Sequence, residues 1–120
     1  MFGSERTTIA QELPRGEAIA RLNDKPRKTL GGGHIMVTRG VRSLDGFDAA
    51  ALIQTLAAYD SFDADNDPHG ERDFGDIELC GSTLLWKIDY YDHKLEFASD
   101  DPAGAAKTAR VLTVMLECEN

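Results

Sequence analysis

Between Asp76 and Tyr91 apolar and polar side chains alternate on either side of a Gly81-Ser82 pair, a pattern that suits a β-hairpin with one dry face. Successive side chains on a strand point to opposite faces, so Leu84, Trp86, Ile88 and Tyr90 share one face and Leu85, Lys87, Asp89 and Tyr91 the other. The first reads as core, with Trp86 as its largest side chain. The second reads as the wet or functional side of the sheet.

The rest of the chain is read around this hairpin. Ile9, Leu13, Ala18, Ile19 and Leu22 have helical spacing, interrupted by Pro14 and Gly16, so a flexible arm is expected over residues 1–14 and a helix from about Arg15. Lys25-Pro26-Arg27-Lys28 should end that helix. Gly31-Gly32-Gly33 then leads into a short strand, His34 to Thr38. Asp45 is the expected N-cap of a second helix ending by Asp60, with Ala49, Leu52, Ile53, Leu56 and Tyr59 on its apolar face. Asp101-Pro102 looks like another helix start, and a last helix is expected over Ala105–Glu117 with Val111, Val114, Met115 and Cys118 as its core stripe. The fold class is therefore α+β, in the order αβαββα. A three-stranded, largely antiparallel sheet would carry helices on one face, and residues 15–120 would form a single domain.

No run approaches the roughly 18 apolar residues of a membrane span, and Met-Phe-Gly-Ser-Glu-Arg lacks the apolar core of a signal peptide. A cytoplasmic protein is expected. Cys80 and Cys118 form no CxxC pair and read as buried thiols.

Charge divides the chain. The net charge is −8, yet residues 1–44 hold eight Lys/Arg against four Asp/Glu, while residues 45–120 hold five against seventeen. Residues 60–101 alone contain thirteen acids and three bases. Such a body repels nucleic acid and anionic membranes and suits a basic protein surface. Arg15, Arg21, Lys25, Arg27 and Lys28 make a basic edge on the first helix, read as a solvated face.

The runs Asp63-Ala64-Asp65-Asn66-Asp67-Pro68-His69-Gly70-Glu71-Arg72-Asp73-Phe74-Gly75, Leu85-Trp86-Lys87-Ile88-Asp89-Tyr90-Tyr91-Asp92 and Arg110 to Leu116 resemble a bacterial family catalogued as a domain of unknown function. Its members are small and often encoded on plasmids and phage-like elements. The resemblance spans about residues 20–118 and implies a fold and a genomic company, with no functional residue to carry over.

Asp63, Asp65 and Asp67 imitate the first ligands of a calcium loop, but Pro68 and Phe74 stand where such a loop needs Gly and a bidentate Glu. A rigid turn whose Asp and Asn side chains bond their own backbone is the plainer reading. His69, Glu71 and Asp73 could meet Lys87 and Asp89 in an acid/base site, although Lys87 and Asp89 two apart on a strand also make an ordinary ion pair. His34 and His93 lack metal-ligand spacing. The glycine run precedes a strand, whereas a phosphate loop follows one, and no serine sits in a Gly-x-Ser-x-Gly elbow.

The sequence thus points to a non-catalytic binding protein of a mobile element, without cofactor. It would occupy a basic, nucleic-acid-binding surface of a partner through Asp63, Asp65, Asp67, Glu71, Asp73, Asp89 and Asp92, and an anti-CRISPR or anti-restriction inhibitor would be one form. The alternative is a small metal-binding protein or metal-assisted hydrolase built on Asp63–Asp73.

Overall fold

The structure, a computed structural model, describes residues 14–120. All of the expected arm except Pro14 lies outside the described residues. Helix α1 spans Arg15–Thr29, β1 His34–Val37, α2 Arg39–Arg42, α3 Ala49–Ala58, β2 Phe74–Leu79, β3 Ser82–Tyr91 and β4 Ala109–Leu116. The sheet order is β1-β4-β3-β2, with β1 parallel to β4 and the other neighbours antiparallel. The class is α+β, but the sheet has four strands and is mixed.

The added strand replaces the expected C-terminal helix. In β4, Arg110, Leu112 and Val114 are buried toward the helices while Val111, Thr113 and Met115 face the other way, a period of two that a short apolar run does not distinguish from a helical stripe. Position decides the matter. A strand between β1 and β3 satisfies main-chain groups of both neighbours, which a helix cannot do. Asp101-Pro102 starts no helix: the Asp101 carbonyl accepts from Gly104 N (2.9 Å) and Thr108 Oγ1 (2.7 Å), closing a turn.

Helix α1 begins where expected and buries Ile19, Ala20, Asn23, Pro26 and Arg27, one stripe of a 3.6-residue repeat. It runs through Pro26 to Thr29. Leu30 closes it in a left-handed conformation, its N–H bonded to the Pro26 carbonyl at 3.1 Å. Thr38 caps the short α2 instead of ending β1, and Asp48, not Asp45, caps α3 by accepting from Ala50 N at 3.1 Å.

Val41, Leu52, Leu56 and Tyr59 pack on Ile77, Leu84, Trp86, Ile88, Leu112 and Val114 to form the core. Trp86 is fully buried, and Tyr59 and Phe62 meet its ring edge-on with centroids 5.5 and 6.0 Å away. Gly75 makes room for this cluster, since a Cβ there would lie 2.6 Å from the Tyr59 ring and 2.7 Å from Trp86 Nε1.

The hairpin turn sits one residue earlier than expected. Leu79 pairs with Ser82, so Cys80 and Gly81 are the turn residues, at φ of 54° and 71°. Two positive φ values mark the turn type whose twist matches antiparallel strands. Cys80 is consequently exposed at the tip, and Cys118 is exposed beyond β4, so neither is the buried thiol expected of it.

Candidate functional site

The acidic segment between α3 and β2 is folded by its own carboxylates. Asp63 Oδ1 accepts from Asp65 N (2.9 Å) and Asn66 N (3.0 Å), and Asn66 returns a bond from Nδ2 to the Ser61 carbonyl (2.8 Å). Asp67 Oδ1 accepts from Arg72 N (3.0 Å), where Arg72 has a φ of 52°. Asp63 and Asp67 therefore shape the turn as Asx residues do, while Asp65 is exposed.

Glu71 and Asp73 turn inward. Glu71 Oε1 accepts from the Tyr90 hydroxyl (2.9 Å), and Asn23 Nδ2 donates to both the Glu71 carbonyl (3.0 Å) and the Tyr90 oxygen (2.8 Å). Asn23 Oδ1 accepts from Arg110 Nε (2.8 Å), and the Arg110 guanidinium lies over the Tyr90 ring at 5.3 Å. This seam locks α1 onto β3 and β4. Burial, and then the charge of Glu71, raises the Asp73 carboxyl above its ordinary range. Burial also holds the Tyr90 phenol well above its usual value and lowers Arg110.

Asp89 lies on the opposite sheet face, 3.5 Å from Lys87 Nζ. The sheet thus separates Lys87 and Asp89 from Glu71 and Asp73, and the acid/base cluster weighed from sequence does not assemble. Asp92, in the loop after β3, accepts from Glu96 N at 3.0 Å, and that bond holds its carboxyl low. The seven acids expected to bind a partner are therefore divided among the Asp63–Asp73 segment, the far sheet face and the loop after β3. Among the described residues no three His, Cys, Asp or Glu side chains group as metal ligands.

The structure does assemble a set of groups that sequence reasoning missed. A groove of about 450 Å³ runs between the end of α3 and β2, where Asp60, Asp76 and Glu78 stand beside Thr55, Tyr59 and Ile77, with no cation in the lining. The legible signal was Asp76 and Glu78 two apart on a strand. A second cavity, about 290 Å³, brings His34 and His93 together with Thr108 and Arg110.

The cations near the acidic segment are occupied. Arg72 pairs with Asp24 (2.9 Å) and Glu17 (3.4 Å) of α1, and the Asp24 bond raises its pKa further. Arg27, read from sequence as part of a solvated face, is only 2% exposed. It donates to the Leu56 and Tyr59 carbonyls at 2.9 and 2.6 Å, a cation at the C-terminus of α3, and also contacts Asp24 at 3.1 Å.

A family model described as a protein of unknown function (DUF3768) matches residues 37–119. No curated protein and no solved structure matches the chain. No helix among the described residues is long and apolar enough to cross a membrane.

Proposed function

Given that the chain belongs to the DUF3768 family, we propose that it is a non-catalytic acidic binding protein whose carboxylate surface occupies a basic surface of a partner protein. One observation carries the reading. Among the described residues, Asp60, Asp65, Asp76 and Glu78 are exposed and form no ion pair, while the nearby cations Arg27 and Arg72 are turned inward onto α1 and α3 partners and Lys87, on the sheet face of Asp76, pairs with Asp89. Charge arranged in this way weakens the compact state through self-repulsion and favours a partner that neutralises it. A basic surface that otherwise receives nucleic acid fits best, as in a CRISPR or restriction effector blocked by an inhibitor from a mobile element. The inward seam of Glu71, Tyr90, Asn23 and Arg110 then serves as scaffold, because its polar groups already satisfy one another.

Competition tests the reading. A partner retained on the immobilised chain should be released by added duplex DNA or RNA and by salt, and should be lost when Asp60, Asp65, Asp76 and Glu78 are replaced by their amides while the melting transition persists. Retention indifferent to salt, nucleic acid and the fourfold change would overturn it.

A further inference from the structure

Strand β2 is an edge strand, and the hairpin register fixes where its main-chain groups point. Leu79 pairs with Ser82 across the turn, and Ile88 N donates to the Asp73 carbonyl at 2.8 Å. Residues 73, 75, 77 and 79 thus bond to β3, and the N–H and C=O groups of Phe74, Asp76 and Glu78 point away from the sheet. Tyr59 covers the near end, its ring packed on Gly75, where a Cβ would lie 2.6 Å from it. No hydrogen bond from another described residue reaches the Asp76 carbonyl or the main chain of Glu78.

Edge strands are ordinarily guarded by lysine, proline or a bulge. Phe-Gly-Asp-Ile-Glu-Leu has no lysine or proline, and its register with β3 is unbroken from Phe74 to Leu79. Beyond Tyr59 at the near end its guards are carboxylates, and these discriminate. Pairing β2 with a second copy of itself would bring Asp76 and Glu78 of two chains together, which like charges oppose. A strand bearing Lys or Arg at alternate positions would place each cation beside an acid on the sheet face away from α3, where Asp76 and Glu78 alternate with the buried Ile77.

We infer that the Asp76–Glu78 edge accepts a short extended segment of a basic protein as an added strand. Lys or Arg would face Asp76 and Glu78, and small apolar or hydroxyl side chains at the intervening positions would enter the groove beside Ala58 and Tyr59. This rests on the proposed acidic binding function and specifies how that surface engages its partner.

The experiment uses the full chain and a synthetic peptide of alternating lysine and valine, followed by titration calorimetry at low salt and by amide exchange. The peptide should bind and slow exchange at Glu78. N-methylating one amide on the edge that pairs with β2 should weaken binding about tenfold, the order expected from losing one well-formed hydrogen bond, whereas methylating one on the opposite edge should change little. Glu78→Pro should weaken it similarly, since it removes an N–H that β3 does not use. If both methylated peptides bind like the parent while a glutamate-for-lysine peptide does not, strand addition is wrong and the acidic-surface reading survives. Failure of the parent peptide to bind, or binding without a change in exchange at Glu78, would also overturn strand addition and would leave the partner-competition experiment to judge the broader function.

Discussion

Asn23 and Arg110 are joined by a buried hydrogen bond, Arg110 Nε to Asn23 Oδ1 at 2.8 Å, that ties α1 to an interior strand of the sheet. Arg110 is 3% exposed and forms no salt bridge among the described residues, so neutral oxygens from Asn23 and the Pro102 carbonyl receive its protons. Replacing Asn23 with Leu removes the acceptor and leaves a buried guanidinium underpartnered. A loss of about 3 kcal/mol is expected in denaturant titration. A loss below about 0.5 kcal/mol would mean that the seam is not holding the helix.

Trp86 fills the centre of the core beneath Arg27, whose guanidinium carbon lies 5.7 Å from the indole ring. Trp86→Ala should cost about 3 to 5 kcal/mol, the range for emptying a large aromatic site. Native tryptophan emission should be that of a dry indole, and a fully solvated spectrum would contradict the packing.

The pH dependence of stability should carry the signature of Asp73. Its folded carboxyl is raised above the ordinary value of 3.8, chiefly by burial, so the native state holds that proton more tightly than the unfolded chain. The resulting stabilisation is present in full below 3.8 and is lost as pH rises through the raised value. The Asp73→Asn chain should therefore gain on the parent between about pH 3 and about pH 7 in paired denaturant melts. A constant difference across that interval would exclude the effect.

Cys80 occupies the first central position of the hairpin turn at a φ of 54°, where asparagine is preferred. Cys80→Asn should raise stability by about 0.5 kcal/mol or more. In the unaltered native protein both cysteines should react with a thiol reagent at nearly the unfolded rate, and protection of either would contradict its exposure.

The hairpin was legible because its alternation is local and its faces differ in polarity: Trp86 and Lys87 cannot exchange places. Helix α1 was legible for a similar reason, although the role of Arg27 was not, since its partners Leu56 and Tyr59 arrive from another helix. The β4 segment carried a misleading start at Asp101-Pro102 and an apolar run compatible with either period. Only the place left between β1 and β3 makes it a strand. In the acidic segment the turn-forming use of Asp63 is a short-range matter visible in Asp/Asn spacing. The inward turn of Glu71 depends on Tyr90 and Asn23, and the groove beside Asp60, Asp76 and Glu78 depends on α3 meeting β2; neither leaves a mark in linear order.

The position of β4, interior in the sheet and last among the strands, has a consequence for synthesis on the ribosome. Until residues 109–116 emerge, β1 and β3 have nothing between them, and the nascent chain displays two open borders together with the apolar face that includes Trp86 and Ile88. Folding must then await the most distant segment, which makes it slow for a chain of this length and leaves its intermediates open to misassembly.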